Sequence, residues 1–350
     1  MSTKTSIALA GLGRMGRIHL ANLTGRCPSA QLAAVFDARE DVAREIGEQF
    51  GVPWTTTYEE LLHNPDIDAV AIATPTGTHA PLTIAAAEAG KHVFSEKPIS
   101  LDRAATVDVL DAVKKAAVQF QVGFHRRFDP DWVAGVHRIK AGELGEVFMF
   151  RTSLRDMIAP KAEFLAGSGG FFVDVTVHDF DTARWIAGEI VEVSAYGSSL
   201  SDPEGFAAIG DVDTAVVVVR FENGALGVID NSRAAGYGYE CSTEVVGSRA
   251  TLRIDNPRRF GYEWRTPGSA TVPLVADFEQ RYPFAYQAEV EAFAQCVQTG
   301  EQPRCTGLDA LAAFDLAQAA SHAWRTGTTV KLSPQRVDGG VEYGALLSSH

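Results

Sequence analysis

Cysteine is scarce in this chain, with only 4 in 350 residues. The four cysteines, Cys27, Cys241, Cys296 and Cys305, lie far apart and form neither a CxxC motif nor another metal-ligand spacing. So few cysteines could hardly crosslink a chain of this length, which excludes a disulfide-rich fold and a cysteine-based metal site. We therefore expect reduced thiols and a cytoplasmic protein.

A long apolar run is also missing. The longest uncharged stretch, residues 69–87, contains two prolines, a glycine, a histidine and four threonines. It is therefore unlike the run of about 20 apolar residues that a transmembrane helix needs. The apolar run between Lys4 and Arg14 is too short for the core of a secretory signal. We expect neither a membrane span nor a secretory signal.

Positive charge is in deficit. The chain has 31 Lys and Arg against 44 Asp and Glu, a formal net charge of −13. Such a chain repels phosphate backbones and anionic lipid surfaces, so nucleic-acid and membrane partners are not expected. The 46% apolar and 21% charged residues are typical of soluble globular proteins. At about 150 residues per domain, the length predicts about two domains.

Between residues 6 and 123, apolar runs of strand length alternate with segments of helical periodicity. The run Ala69–Ala73 has no polar face, as expected for a parallel strand covered by helices on both sides. The alternation predicts an α/β domain over residues 1–124, built on a doubly wound parallel sheet. Strands are predicted at 7–10, 32–36, 69–73, 92–94 and 120–122, and helices at 41–50, 58–63, 81–89 and 101–118.

After Gly123 the pattern changes. Two β-rich runs, 213–220 and 225–230, flank the turn sequence Glu222-Asn223-Gly224. Asn-Gly between such runs is a strong hairpin signal because both residues tolerate positive φ. The pattern predicts an α+β domain over residues 125–350 with a large, mostly antiparallel sheet. Further strands are predicted at 147–153, 191–196, 242–246 and 250–254, helices at 170–187, 284–299 and 308–326, and a loosely packed tail from Leu332.

A glycine-rich motif directly follows the first predicted strand. Gly11, Gly13 and Gly16 form the pattern GxGxxG, and a predicted helix over residues 17–23 follows. In a dinucleotide site the first glycine permits a tight turn, the second lets the backbone approach a pyrophosphate, and the third lets helix and strand pack closely. The context predicts a Rossmann domain whose loop binds a dinucleotide. The other residues of this loop are Leu12, Arg14 and Met15.

An acidic residue ends the second predicted strand. Asp37 follows Gly16 by about 20 residues, where a carboxylate can accept hydrogen bonds from the adenosine ribose and repel a 2′-phosphate. NAD is therefore expected rather than NADP. Two alternatives stay open: Asp37 caps the helix that begins near Asp41, or Arg39 accommodates the phosphate of NADP.

Two further segments, TPTGTH at 74–79 and AGKHVFSEKP at 89–98, complete a recognisable set of motifs. With the glycine motif they resemble the glucose-fructose oxidoreductase and inositol dehydrogenase (Gfo/Idh/MocA) family. The resemblance continues through 169–181, 211–215 and 229–239 and covers roughly residues 6–331. Within the family, these segments are most similar to inositol 2-dehydrogenases.

Asp174 and His178 are four residues apart on a predicted helix, so their side chains share one face. The resemblance implies that His178 is the general base that takes the hydroxyl proton, a role that suits neutral imidazole. It also implies that Asp174 orients this imidazole or a neighbouring hydroxyl. Lys97, at the carboxyl end of a parallel strand, can stabilise negative charge on the reacting oxygen. These three residues are the predicted catalytic set.

Simpler interpretations of these residues exist. Asp174 and His178 could form an ordinary surface pair, and Lys97 could be a solvated lysine. A cation site formed by Asp174, His178 and Asp181 is another alternative, although no metal is expected.

The resemblance also implies two sets of contacts. Besides the glycine loop, the predicted cofactor contacts are Asp37, Arg39, Thr74, Pro75, His79, Glu96 and Lys97. The predicted substrate contacts are Lys97, Arg127, Asp156, Asp174, His178 and Tyr237. Their mixture of donors and acceptors suits a small neutral polyol, although Arg127, Asp156 and Tyr237 could equally be surface residues. No second arginine for a phosphate clamp is evident in the C-terminal region, so sugar phosphates should be poor substrates.

The activity implied by the resemblance is NAD-dependent oxidation of a cyclitol ring hydroxyl to a ketone, with myo-inositol to 2-keto-myo-inositol (scyllo-inosose) ranked first. Met157-Ile158 and His125 depart from the commonest inositol dehydrogenase pattern. These departures leave scyllo-inositol, another inositol isomer or a pyranose sugar open as substrates. Redox-neutral chemistry, in which NAD is reduced and reoxidised in each turnover, is a further alternative. A non-catalytic NAD-binding sensor is another, but the joint presence of Lys97, Asp174 and His178 argues against it.

The predicted helices of the C-terminal region suffice for one face of its sheet only. The other face, with Val217 and Val219 or their alternates pointing outward, is expected to be covered by another subunit. The resemblance implies a homotetramer assembled through this face.

Overall fold

The computed structural model describes residues 4–160 and 162–344, and its contacts divide the chain into two compact units. The first unit comprises the chain up to Asp129 together with Phe284–Leu311. The second comprises Pro130–Pro283 and the chain from Ala312 onward. The structure therefore departs from the single boundary near residue 124 expected from the sequence, because a late segment returns to the first unit.

A six-stranded parallel sheet forms the centre of the first unit. Its strand order is β3-β2-β1-β4-β5-β6, the order of a doubly wound Rossmann domain, which confirms the predicted fold. The strands are β1 (Thr5–Ala10), β2 (Ala30–Phe36), β3 (Trp54–Thr55), β4 (Ala69–Ile72), β5 (His92–Glu96) and β6 (Phe120–Gly123). The helices between them are α1 (Arg14–Leu23), α2 (Glu40–Phe50), α3 (Tyr58–His63), α4 (His79–Glu88) and α5 (Arg103–Ala116).

The core of the first unit explains why the late segment belongs to it. All four residues of β4 are buried, as the apolar run predicted. Ile7 and Leu9 of β1 share one buried cluster with Val290 and Phe293 of the late segment. The apolar face of this segment therefore completes a core that the first 129 residues do not fill alone.

A seven-stranded mixed sheet forms the centre of the second unit. Its order is β12-β11-β7-β10-β9-β8-β15, and every neighbouring pair is antiparallel except β7 with β10. Its strands are β7 (Val147–Arg155), β8 (Ile190–Ser198), β9 (Thr214–Phe221), β10 (Leu226–Ser232), β11 (Glu240–Gly247), β12 (Thr251–Ile254) and β15 (Val330–Lys331). A short hairpin joins β13 (Trp264–Thr266) and β14 (Ser269–Thr271). The predicted α+β fold, with its mostly antiparallel sheet, is confirmed.

The helices complete the chain. They are α6 (Pro130–Lys140), α7 (Ala162–Ala166), α8 (Val177–Ala187), α9 (Pro203–Ala208), α10 (Phe278–Arg281), α11 (Pro283–Thr299) and α12 (Gly307–Thr326). The boundary between the two units falls within α12, after Leu311. No helix of the described residues is long and apolar enough to cross a membrane.

The predicted hairpin at Asn223-Gly224 joins β9 to β10, with Arg220 opposite Leu226. Along β9 the side chains alternate between the two faces of the sheet. Val217 and Val219 are each 1% exposed, whereas Val216 and Val218 are each 41% exposed. It is therefore the alternates of Val217 and Val219 that point outward, and the outer face of the sheet combines exposed apolar side chains with charged ones such as Arg220 and Asp230.

Part of the helix predicted over residues 170–187 has a different geometry. Phe172–Thr176 form a turn of π-helix, and α8 follows it directly. A π turn is wider than an α turn and often occurs at functional sites. Asp174 lies in this wide turn, so its relation to His178 differs from that of two residues on a regular α-helix.

The tail predicted from Leu332 contains regular structure within the described residues, although most of its side chains are exposed or half-buried. β16 (Gln335–Val337) and β17 (Gly340–Glu342) form a hairpin. The side chain of Tyr343 is buried, and its hydroxyl donates to Glu189 Oε2 at 2.6 Å and accepts from the Ile190 amide at 2.9 Å. Tyr343 is therefore the one buried side chain among the described residues of this segment. Residues 345–350 lie outside the described residues.

Candidate active site

The glycine motif forms a tight loop between β1 and α1. Gly11 has φ of +92°, and a Cβ there would lie 2.6 Å from the carbonyl oxygen of Ala73. A Cβ on Gly16 would lie 1.9 Å from the Gly11 carbonyl oxygen. Both glycines are therefore required by close packing, as the motif predicts.

Gly13 has a different environment. A Cβ on this residue would meet nothing within 4 Å, and Gly13, as the N-cap residue of α1, has no side chain with which to cap the helix. The loop backbone therefore faces open space at the N-terminus of α1, where uncapped amides attract an anion. This is the cradle that a pyrophosphate needs, and the loop fits a dinucleotide.

Asp37 follows β2 at the edge of this loop. Its Oδ2 accepts from the Leu12 amide at 3.0 Å, and its Oδ1 accepts from the Arg39 amide at 3.0 Å and from Arg39 Nε at 3.2 Å. Burial opposes ionisation of this carboxyl, but the hydrogen bonds from Arg39 and Leu12 outweigh it and lower the pKa of Asp37. Asp37 is therefore an anchored anion, consistent with selection against a 2′-phosphate.

His79 ties two predicted cofactor loops together. It is the first residue of α4, and its ring is buried. Nδ1 lies 2.8 Å from the carbonyl oxygen of Pro98, and Nε2 lies 2.7 Å from that of Thr74. The side chain of His79 therefore fixes the loop after β4, which includes Pro75, against the loop after β5.

Lys97 directly follows β5 and is half-buried, whereas the neighbouring Glu96 is buried. Glu96 Oε1 lies 2.7 Å from His19 Nε2, and a Cβ on Gly123 would lie 3.1 Å from Glu96 Oε2. The side chain of Glu96 thus points into the first unit. A cofactor contact by Glu96 would have to come from its backbone.

Arg127 has contacts that the sequence did not suggest. Its Nη2 donates to Asp309 Oδ1 at 2.9 Å, and its Nη1 donates to the Arg304 carbonyl oxygen at 3.0 Å. All three residues belong to the first unit. This ion pair gives Arg127 a structural role, and its contact with substrate stays a prediction.

In the second unit, Asp174 forms an ion pair with Arg233. Nη1 of Arg233 lies 3.0 Å from Asp174 Oδ2, with side-chain exposures of 1% and 15%. Asp181 is itself buried. A carboxylate paired with a guanidinium is a poor cation ligand, which argues against a cation site built from Asp174, His178 and Asp181.

The residue after His178 anchors the helix to the sheet. Asp179 is fully buried and accepts hydrogen bonds from Thr152 at 3.3 Å and Asn231 at 2.9 Å, on the inner face of the sheet. Thr182 Oγ1 donates to the His178 carbonyl oxygen at 2.8 Å. His178 is half-buried. These bonds fix α8, and with it the backbone of His178, against the sheet.

Two other predicted substrate residues, Asp156 and Tyr237, lie next to strands of the second unit's sheet. The Asp156 amide donates to the Ser232 carbonyl oxygen at 2.9 Å, extending the β7–β10 pairing. Tyr237 is 53% exposed and its hydroxyl donates to Glu240, which also pairs with Arg155. Along β11 buried and partly exposed side chains alternate, and Glu240 is one of the partly exposed ones, so it lies on the outer face of the sheet. The hydroxyl of Tyr237 thus points to the face opposite Asp179.

Comparisons with known proteins agree with this geometry. Residues 5–124 match the profile described as the oxidoreductase family, NAD-binding Rossmann fold, and residues 136–332 match its C-terminal alpha/beta domain. The myo-inositol 2-dehydrogenase of Thermotoga maritima is 42% identical, over 93% of this chain and 98% of that protein. The scyllo-inositol 2-dehydrogenase (NAD(+)) of Bacillus subtilis is 37% identical, over 96% and 98%.

This chain belongs to the Gfo/Idh/MocA oxidoreductase family. Among solved structures of similar proteins is scyllo-inositol dehydrogenase from Lactobacillus casei with bound NAD(H) and scyllo-inositol. It is 30% identical, with a TM-score of 0.88, over 94% of this chain and 99% of that one. The match extends over both units rather than over the dinucleotide motif alone.

Two features of this family member escaped the sequence interpretation. Arg233 lies in a segment that carried the resemblance, but it received no role because its partner is far away in sequence. It is also the second arginine that the sequence interpretation found lacking, although its burial and its pairing with Asp174 make it unsuitable as a phosphate clamp.

The second feature is a buried group in the first unit, His19, Glu96 and Glu289, whose potential ligand atoms lie within 4.8 Å of one another. The 2.7 Å separation of His19 and Glu96 is a hydrogen-bond distance, shorter than the roughly 3.3 Å between two ligands of a tetrahedral ion. His19 Nδ1 has no hydrogen-bond partner in the described chain, whereas a metal-bound histidine normally donates through its second nitrogen. The group is therefore a hydrogen-bonded pair beside a buried acid.

Proposed function

We propose that this protein catalyses the NAD-dependent oxidation of a ring hydroxyl of a cyclitol to a ketone, with myo-inositol to 2-keto-myo-inositol as the first choice. The observation that carries the proposal is the position of Asp174, which lies in the wide turn four residues before His178 and forms an ion pair with Arg233. This arrangement occurs in a chain that shares 42% identity with a myo-inositol 2-dehydrogenase over nearly all of its length. Asp174 supplies an oriented carboxylate, and His178 supplies the base.

Each residue has a defined part in this proposal. His178 accepts the proton of the reacting hydroxyl, and Asp174 orients the imidazole or an adjacent hydroxyl of the substrate. Lys97 hydrogen-bonds the reacting oxygen and stabilises the negative charge that develops there. The glycine loop would hold NAD, which would supply a hydride acceptor for the same carbon. Asp37 anchors the adenosine ribose, which makes NAD the preferred cofactor.

The substrate ranking follows from the chemistry of the side chains. A site built to hydrogen-bond hydroxyl groups strongly rejects compounds that lack them, because its polar groups would be left unpaired. Apolar alcohols should therefore fail. scyllo-Inositol, another inositol isomer and a pyranose sugar are the next candidates after myo-inositol, and the contacts of Arg127, Asp156 and Tyr237 with substrate stay predictions.

The exposed valines on the outer face of the seven-stranded sheet support an assembly of several copies of this chain. An exposed apolar patch on a sheet face is typical of a subunit interface. Its centre is formed by Val216, Val218 and Leu226, which are 41–43% exposed. We propose that a second copy covers this face in a homotetramer that works in the cytoplasm. Light scattering at micromolar concentration should give the mass of four chains, and a monomer would contradict the assembly.

The activity is tested by absorbance at the NADH band, with saturating NAD and a panel of myo-, scyllo- and chiro-inositol, glucose, xylose and inositol monophosphate. We expect the fastest NADH formation with myo-inositol. If a pyranose sugar gave the fastest NADH formation, only the substrate ranking would be overturned. If the phosphorylated compound gave the fastest NADH formation, the substrate class would be overturned. NAD binding without any NADH formation would instead favour a sensor or redox-neutral chemistry.

A further inference from the structure

Arg233 is among the most deeply buried charged side chains in the described part of the second unit. It directly follows β10 and is 0% exposed, and its amide donates to the Asp213 carbonyl oxygen at 2.8 Å. Its guanidinium lies over the ring of Phe171, with Cζ 5.4 Å from the ring centroid. The backbone of Arg233 is thus tied to Asp213 and its guanidinium packs on Phe171, while Nε and Nη2 have no hydrogen-bond partner among the described residues.

The anion that compensates Arg233 is Asp174. The nearby carboxylate of Asp213 is engaged elsewhere, because it accepts from the Leu200 amide, from Ser201 and from Thr214. Asp174 Oδ2 lies 3.0 Å from Arg233 Nη1. Asp174 therefore places a carboxylate oxygen directly against the buried guanidinium, where an unpaired charge would be costly.

The two members of the pair differ in accessibility. The side chain of Arg233 is 1% exposed and that of Asp174 is 15% exposed. The arginine is therefore sealed inside the unit, and only the carboxylate can reach a ligand. Arg233 can act on a ligand only through Asp174.

The Asp174 backbone is held by the helix, because its amide donates to the Gly170 carbonyl oxygen at 3.0 Å. The ion pair with Arg233 adds a contact to the Asp174 side chain within the wide turn. Arg233 connects this turn to the end of β10, and Asn231 on the same strand holds Asp179. One strand therefore positions the residues on either side of the turn-to-helix junction.

We propose that Arg233 is a positioning residue of the dehydrogenase reaction, which holds the Asp174 carboxylate in a single orientation beside His178. This inference rests on the proposed function and adds a residue to which no role has been given. Arg233 itself touches neither substrate nor cofactor.

The test compares Arg233→Met, Asp174→Asn and the double variant. We expect Arg233→Met to lower kcat about 10²-fold, the size of effect that a misplaced reacting group can produce. The Kd for NAD, measured by quenching of tryptophan fluorescence, should change less than about twofold because the glycine loop is untouched. In the Asp174→Asn background, adding Arg233→Met should lower kcat by less than about twofold, because the two residues act as one unit.

Arg184→Met is the matched control. Arg184 pairs with Glu189 at 2.7 Å, with side-chain exposures of 5% and 15%, and lies at the far end of α8. This variant breaks a buried ion pair of the same kind in the same unit, so it should lower Tm but leave kcat unchanged. If Arg233→Met does not fold, Arg233→Lys and Arg184→Lys replace the two variants, and only Arg233→Lys should lower kcat.

The outcomes separate the two hypotheses. A wild-type protein that forms no NADH with any polyol overturns the proposed function and, with it, the role of Arg233. An active wild type whose Arg233 variant keeps kcat within about threefold overturns the positioning role alone. An equal loss of kcat in the wild-type and Asp174→Asn backgrounds also overturns it, because Arg233 would then act independently of the carboxylate.

Discussion

In the first unit the buried carboxyl of Glu289 makes no hydrogen bond within the described chain, whereas in the second unit the buried guanidinium of Arg233 is paired with Asp174. Burial and the nearby Glu96 raise the pKa of Glu289 well above its usual range, so its charge is removed by a proton. The charge of Arg233 is instead balanced by an anion. The first arrangement should respond to pH, and the second should respond to the loss of a partner.

The two units also hold their predicted ligands differently. The glycine loop presents backbone amides at the N-terminus of a helix. Its glycines are needed because a side chain at Gly11 or Gly16 would clash with the backbone. In the second unit the predicted chemistry belongs to the side chains of Asp174 and His178. Substitutions should therefore affect cofactor binding through the first unit and the chemical step through the predicted catalytic side chains.

The largest expected effect concerns the chemical step. His178→Ala and Lys97→Ala should each lower kcat by about 10² to 10⁴, the usual contribution of one acid-base group. The Kd for NAD should remain nearly unchanged, because neither residue belongs to the glycine loop. Steady-state kinetics and NAD titration check both statements. A near-native kcat in either variant would contradict the assigned role.

A smaller effect is expected for cofactor choice. The wild type should prefer NAD over NADP by about tenfold or more in kcat/KM, and Asp37→Ser should narrow this ratio by removing the anchored anion. Arg39→Ser is the paired control, because it leaves the carboxylate and removes its cationic neighbour. An unchanged ratio in Asp37→Ser would show that the ribose is bound elsewhere.

The smallest effect concerns stability. The folded state holds the proton of Glu289 to higher pH than the unfolded chain does, so stability falls as pH rises above about 4.3, the ordinary pKa of glutamate. Glu289→Gln removes this titration and should raise Tm at pH 8 by roughly 2–4 °C, the shift that about 1 kcal/mol produces in a large domain. At pH 4.5 the difference should nearly vanish.

Glu88→Gln, an exposed change in the same unit, serves as the control for Glu289→Gln. Its Tm should follow that of the wild type at every pH, as thermal unfolding monitored by circular dichroism can show. A Glu289→Gln variant that is less stable than the wild type at pH 8 would mean that the ionised carboxylate stabilises the fold.

The features that sequence predicts well here depend on neighbouring residues. The all-buried β4, the glycine loop and the Asn223-Gly224 hairpin are each specified within about ten residues by periodicity and turn chemistry. Asp37 was also predictable, because its separation from the loop follows from the length of one helix and one strand.

The features that were missed depend on partners far along the chain. Arg233 meets Asp174 only through strand order, and Glu289 meets Glu96 only after the chain returns to the first unit. The wide turn at Phe172–Thr176 has no signature in hydrophobic periodicity, which reports helix but not the number of residues in each turn. The dual ties of His79 likewise require the folded loops.

The return of α11 to the first unit has a consequence for how the chain is made. Thr5 Oγ1 of β1 donates to the carbonyl oxygen of Ala294 at 3.1 Å, across a separation of 289 residues. At about 5–20 residues per second, the ribosome delivers that partner roughly 15–60 s after β1. During this interval Ile7 and Leu9 lack their packing partners Val290 and Phe293, which have not yet been synthesised. The unit that begins the chain therefore cannot complete its core until synthesis has passed most of the second unit.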